Sequence, residues 1–171
     1  IEAEVEIITL DYRLMKSLGA KNEDFEIQIN NREALKDLPR EALRLLDRKN
    51  KMSPEEFEFK WREVSKTPPE KMSPDKKTEQ LISLLRASGV KNAVHRPTLA
   101  RGFDYYTGTI FEVFDTNPQN SRSLLGGGRY DNLLDMFGVD NLPAVGFGMG
   151  DVTVRDFLET HKLLPEMSSP T

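Results

Sequence analysis

No cysteine occurs among the 171 residues. Disulfides and thiolate metal sites are thereby excluded, and a reducing, cytoplasmic location is expected. Histidine is nearly as scarce. The two present, His95 and His161, lie far apart without ligand spacing, so no protein-bound metal is expected. Long hydrophobic runs are missing too: none approaches the length of a membrane span or a signal peptide. A strong charge imbalance is also lacking. With 24 Lys and Arg against 28 Asp and Glu, the net charge is −4, so any contact with nucleic acid needs a local basic patch. The chain opens on Ile1, inside an amphipathic pattern, and closes on the polar "LPEMSSPT". Both ends suggest a piece of a longer protein.

What remains is enough for a packed core. Apolar residues make up 37% and charged residues 30%, polar for a globular chain but not disordered. The length fits one domain, or one domain with a small appendage.

Helical spacing runs from Glu2 to Leu18, with Ile7, Leu10, Leu14 and Leu18 as the expected inner face and Ile8 and Met15 beside it. Gly19 is a natural stop. "FEIQIN" alternates Phe25, Ile27 and Ile29 against polar residues, the pattern of a half-buried strand. From Arg32 to about Lys71 lysine, arginine and glutamate dominate. Pro39 divides two helical pieces, and Ser53-Pro54-Glu55-Glu56 carries the marks of a helix start, with Phe57 and Trp61 on one face beyond it. "SKTPPEKMSP" reads as a linker. Ser73-Pro74 is expected to begin another helix, with Leu81, Leu84 and Leu85 inward and Gly89 at its end. Residues 32–81 thus read as a helical insertion between core segments 1–31 and 82–171. Its charge reads as a solvated face, with an RNA-facing surface as the competing reading. "GTIFEVFD" and "NLPAVGFGMG" read as strands, "LLGGGRYDNLLDMFG" as a glycine-rich loop running into a short helix, and "DVTVRDFLETHKLL" as a helix. The fold class expected is α+β, a mostly antiparallel sheet flanked by helices.

Three stretches carry possible chemistry. In "LARGFDYYTGTIFEVFD", taken as one strand, Arg101, Phe103, Tyr105 and Thr107 share a face, and Gly102, Asp104, Tyr106 and Gly108 share the other. Arginine brings a fork of donors for a carboxylate or phosphate, and tyrosine a flat wall with a polar tip. Gly102 and Gly108 leave room for close approach. The plain alternative is aromatic packing with an Arg101–Asp104 salt bridge at the rim. Gly126, Gly127 and Gly128 can cradle an anion on their amides, but they match neither a Walker loop nor a dinucleotide fingerprint. There the alternative is a tight turn with a structural pair between Arg129 and Asp131. Gly146, Gly148 and Gly150 alternate, so one face of that strand is bare and could seat a flat ligand such as an adenine. Close strand–helix packing is the alternative.

These segments resemble the histidyl-tRNA synthetases, which are class II enzymes. "ARGFDYYTG" is similar to that family's histidine signature, "GGGRYDNLL" to its Gly-Gly-Arg-Tyr-Asp segment, and "PAVGFGMG" to its motif-three strand. "IEAEVEII" through "NNREAL" resembles the stretch after motif two. The resemblance implies a class II synthetase-like sheet and the activation of L-histidine by ATP, with transfer to tRNA(His). It implies Arg101 as the catalytic cation between the histidine carboxylate and the α-phosphate. Tyr105, Tyr106, Tyr130, Gly127 and Gly128 would line the histidine pocket with Arg101. Thr107, Gly146, Gly148 and Gly150 would serve ATP, also with Arg101. Mg2+ would be held through ATP phosphates, and the whole enzyme would be a homodimer.

Two departures stand out. Where the family has an arginine soon after the motif-three glycines, Thr153 stands, and Arg155 falls on nearly the opposite helix face. Motifs one and two are expected before Ile1. The chain alone is therefore expected to be inactive and only weakly dimeric. Two related readings compete: a synthetase-like regulatory subunit of ATP phosphoribosyltransferase that senses histidine, and a synthetase-like module that senses uncharged tRNA. The intact Arg101-Gly102-Phe103-Asp104 argues against the first, and Thr153 keeps it open.

Overall fold

The computed structural model describes residues 1–49, 52–65, 67–100 and 105–165. Five strands, β1 (Phe25–Asn31), β2 (Ala93–His95), β3 (Thr109–Asp115), β4 (Ser123–Arg129) and β5 (Val145–Met149), form one sheet in the order β2-β1-β3-β4-β5. All pairs are antiparallel except β1 with β2. Among the described residues five α-helices accompany them: α1 (Glu2–Ser17), α2 (Arg40–Arg48), α3 (Pro54–Val64), α4 (Lys76–Ala87) and α5 (Asp151–Thr160). The α+β class and the mostly antiparallel sheet agree with the sequence pattern.

Alternation along β1 does what a period of two dictates. Phe25, Ile27 and Ile29 are buried with Phe111 and Val113 of β3 and Leu125 of β4, beneath α1, α4 and α5. Glu26, Gln28 and Asn30 point to the opposite face. α1 and α4 end alike. Gly19 at φ +93° and Gly89 at φ +90° adopt the left-handed conformation that glycine tolerates. The amides of Ala20 and Val90 then close back on the carbonyls of Met15 and Leu85.

On α1 the expected Ile7, Leu14 and Leu18 pack partly buried against the core, and a neighbouring stripe turns fully inward. Glu4, Ile8, Asp11 and Met15 face the core, and Leu10 is 52% exposed. Two carboxylates therefore occupy core positions, which hydrophobic periodicity cannot anticipate. Further differences are local. Asp75, not Ser73, caps α4, accepting the Thr78 N–H at 2.7 Å. Ile82 rather than Leu84 joins Leu81 and Leu85 in the core. The glycine run is no loop: Gly126, Gly127 and Gly128 lie within β4.

Residues between β1 and α4 build a second, smaller core of Leu35, Ala42, Leu46, Phe57 and Trp61. Ser53 caps α3 as expected, accepting the Glu56 N–H at 3.2 Å. Trp61 donates its indole N–H to the Thr67 carbonyl at 2.8 Å. α4 crosses residue 81 and belongs by packing to the main core. Lys49 lies over the Phe57 ring, 5.2 Å from its centre, so this basic residue serves the segment's own packing.

Candidate functional site

The face of the sheet turned away from α1, α4 and α5 combines polar side chains with missing ones. Register places Gln28, Glu112, Gly126 and Gly148 in one row across β1, β3, β4 and β5. Asn30, Ile110, Gly128 and Gly146 form the next row. One end of this floor is walled by tyrosines. The rings of Tyr105 and Tyr106 lie 4.7 Å apart, and Tyr130 stands edge-on to Tyr105 at 6.0 Å and tilted to Tyr106 at 6.4 Å. Tyr106 is buried with Leu99 and Ile110, and Tyr105 is half-buried.

Strand β3 begins at Thr109, so the expected strand from Leu99 is shorter and residues 105–108 form a turn and bend. The strict two-face alternation therefore does not apply to Tyr105 and Tyr106, whose rings meet. Arg101, Gly102, Phe103 and Asp104 lie outside the described residues. Thr107 fixes the turn against β4. Its N–H donates to the Arg129 carbonyl at 2.8 Å, and its hydroxyl accepts the Asp131 N–H at 3.0 Å.

The glycines divide into distinct roles. A Cβ on Gly128 would sit 2.7 Å from the Tyr106 ring and 2.6 Å from the Thr109 carbonyl, so a side chain there would displace the tyrosine wall. A Cβ on Gly127 would meet the Gly146 carbonyl and Phe111, on the packed side of the sheet. Gly146 admits the Tyr130 hydroxyl, 2.5 Å from its Cβ direction. Among the described residues, nothing lies within 4 Å of a Cβ built on Gly148. Gly150 lies outside β5 and caps α5, against the Thr153 hydroxyl. The bare face is thus shorter than three glycines imply. A Cβ on Gly108 would lie in ordinary contact with the side chains of Arg129 and Lys77, 3.4 and 3.6 Å away.

Electrostatics behind the wall are structural. Arg129 grips fully buried Glu4 with two bonds, Nε to Oε1 at 2.8 Å and Nη2 to Oε2 at 2.7 Å, and reaches Asp131 at 2.9 Å. The guanidinium holds the Glu4 carboxyl down at about 2 against the opposing effect of burial, and Glu4 in turn keeps Arg129 protonated. The Arg129–Asp131 pair expected as the plain alternative exists, and Glu4 extends it to α1. Asp11 is the opposite case. Both its oxygens are buried without a partner among the described residues, and desolvation raises its pKa to about 8. Thr153 is buried, its hydroxyl donating to the Gly150 carbonyl at 3.1 Å. Arg155 is exposed and pairs with Glu159 at 2.9 Å. Among the described residues no three His, Asp or Glu side chains converge as a metal site, and no helix is long and apolar enough to cross a membrane.

Motif reading missed Gln28, Asn30 and Glu112. The alternation of "FEIQIN" and "TIFEVFD" puts them opposite the core, but only the strand register reveals that they flank Gly126 and Gly128.

Comparison with known proteins places this geometry among relatives. The family model described as histidyl-tRNA synthetase matches residues 2–152. A histidine–tRNA ligase of Leptospira biflexa is 37% identical, covering 99% of this chain and 46% of its own length. One from Thermococcus kodakarensis is 33% identical over 98% of this chain and 47% of its own. A crystal structure of histidyl-tRNA synthetase from Nostoc sp. PCC 7120 superposes with TM-score 0.69 over 92% of this chain and 46% of that one, at 20% identity. A Bacillus halodurans structure described as an ATP phosphoribosyltransferase regulatory subunit/histidyl-tRNA synthetase gives 0.63 over 91% and 49%, at 22% identity. The chain spans about half the length of the curated relatives it matches.

Proposed function

The chain belongs to the histidyl-tRNA synthetase family, and from that premise we propose that it forms the histidine and adenylate half of a histidine–tRNA ligase active site. The observation that carries this reading is the tyrosine wall of Tyr105, Tyr106 and Tyr130 standing on the glycine-bearing open face of the sheet. A flat, polar amino-acid side chain suits such a wall, whose rings offer apolar area and whose phenols offer hydrogen bonds. Gly128 supports histidine binding by letting Tyr106 lie against β4. Gly127 contributes from behind, through packing. Gly146 receives Tyr130, and open Gly148 supports an adenine lying on the floor. Thr107 and Gly150 act as anchors of the turn and of α5, beside ATP.

The chemistry needs no protein nucleophile. The histidine carboxylate attacks the α-phosphorus of ATP, the bond to the β-phosphate oxygen breaks, and pyrophosphate leaves with the electron pair. The protein's work is alignment and stabilisation of developing negative charge. Arg101 is the cation proposed for that task. Mg2+ would accompany ATP on its own phosphates.

In the complete enzyme, histidine and ATP would give the adenylate, tRNA(His) would receive the histidyl group, and the enzyme would work as a cytoplasmic homodimer. Residues 32–81 would act as an insertion. The test is histidine-dependent exchange of pyrophosphate into ATP by a full-length protein carrying this sequence. Exchange lost in Arg101→Ala supports the reading, and an absence of exchange in the unaltered enzyme refutes it. Thr153 at the arginine position favours a second reading, a histidine-sensing regulatory subunit. Histidine binding without ATP turnover would select it.

A further inference from the structure

The last residues of β1 hold two parts of the chain that sequence distance separates. Asn30 and Asn31 are both buried and, as strand neighbours, point to opposite faces. Asn30 faces the open side. Its Nδ2 donates to the carbonyls of Pro97 at 3.2 Å and Leu99 at 2.9 Å, and its Oδ1 accepts the Asn31 N–H at 2.9 Å. The amide orientation is fixed by these partners, since a flip would set its oxygen against two carbonyls. Next to it, the Ile29 carbonyl accepts the Arg96 N–H at 2.9 Å, and the Arg32 N–H donates to the Gly108 carbonyl at 2.9 Å. Residues 29–32 therefore grip both ends of the stretch 96–108, which carries the pocket tyrosines.

Asn31, facing the helices, performs a matching task for the helical segment. Its Oδ1 accepts the Glu33 N–H at 3.1 Å and starts the 3-10 turn Arg32–Leu35. Its Nδ2 donates to Asp75 Oδ2 at 2.6 Å, while Asp75 Oδ1 caps α4. The two ends of the helical segment are thus tied to one asparagine. The segment also touches the tyrosine-bearing stretch directly, because Ala100 packs against its Phe57 and Trp61 core.

We infer that Asn30 and Asn31 are positioning residues that couple the seat of the helical segment to the stretch carrying the pocket tyrosines. A shift of the segment strains the Asn31–Asp75 bond. The strain passes through one peptide to Asn30 and Arg32, and from them to both ends of the tyrosine-bearing stretch. Events on the helical segment, such as a ligand touching it, would thereby change the pocket without reaching it.

Asp75→Ser provides a gentle test. Serine still caps α4 but is too short to reach Asn31. Asn30→Ala, which adds no charge, serves as the second variant, and both are made in the full-length protein. Amide hydrogen exchange is the primary readout. Coupling predicts that Leu99 and Thr107 exchange about tenfold faster in Asp75→Ser, with Phe111 and Val113 unchanged. Exchange that quickens only at residues 31–35 and 76–79 overturns the inference. In its activity arm the inference rests on the ligase reading. There, kcat for pyrophosphate exchange should fall about tenfold or more in both variants, with the KM for ATP within about twofold. Unchanged kcat in both variants also overturns it. An inactive parent protein would sink the ligase reading alone, because amide hydrogen exchange needs no turnover.

Discussion

Asp11→Asn should stabilise this protein, and by more as the pH rises. Asp11 is fully buried on α1, and neither carboxylate oxygen has a partner among the described residues. Burial lifts its pKa from 3.8 to about 8. The unfolded chain releases the proton near its ordinary value, whereas the folded state keeps it, so folding takes up a proton between those limits. Stability from this group is complete below about pH 4 and is lost progressively toward about pH 8, at about 1.4 kcal/mol per pH unit. At neutral pH the accumulated loss is on the order of 4 kcal/mol, a large part of a typical domain's stability. Asparagine has nearly the same shape and nothing to ionise, so it removes the slope. The assay is urea unfolding of wild type and variant at intervals from about pH 5 to about pH 8. The advantage of the variant should grow by roughly 1.4 kcal/mol per unit. A difference that stays constant across this window refutes a buried neutral carboxyl. A carboxyl resonance titrating near its ordinary value refutes it independently.

Other expectations follow from the same geometry. On the proposed ligase reading, Gly128→Ala should push Tyr106 off β4 and raise the KM for histidine in the full-length protein at least tenfold; an unchanged KM removes Tyr106 from the proposed histidine site. Glu4→Gln should cost about 3 kcal/mol by leaving Arg129 half-paired in a buried setting, measured by chemical denaturation. Because the folded pKa of Glu4 is depressed from 4.5 to about 2, its contribution is present above about pH 4.5 and fades as pH falls toward about 2. The acid-side loss should therefore be shallower in the variant. Thr153→Arg, which supplies the arginine expected from the family resemblance, should destabilise the fold rather than tighten ATP binding, since Thr153 is buried against Gly150 and Leu124. A lower KM for ATP in this variant would contradict that. Ser53→Ala should cost about 1 kcal/mol through the lost α3 cap, seen as a lower melting temperature.

Much of the architecture was legible because it follows local periodicity. The alternation of Phe25, Ile27 and Ile29 gave β1 its inner face. The Ser53 cap and the glycine stops marked helix ends. What escaped depends on partners distant in sequence. α1 turns Glu4 inward because Arg129, on β4, waits there, and no pattern within α1 announces it. The glycine run is strand rather than loop because β3 and β5 pair with it on both sides, which outweighs glycine's poor strand propensity. At the site, the tyrosines were identifiable by motif, but their mutual contact was not, because the turn at 105–108 replaces the expected strand alternation. Arg101, the residue most specific in sequence, lies outside the described residues.

The parallel pairing of β1 with β2 has a consequence for how this sequence can change. Parallel neighbours oblige the chain to cross over the sheet, and α4 makes that crossing. The helices between β1 and α4 therefore occupy a connection that had to exist, at a point where no strand depends on its length. Closure entropy grows only logarithmically with the added residues, about 0.6 kcal/mol per doubling. Natural variation in length should thus concentrate between Arg32 and Asp75, while the spacing from β3 to β5, fixed by antiparallel register, stays nearly constant. The same position is where a foreign domain could be grafted with the sheet left in register.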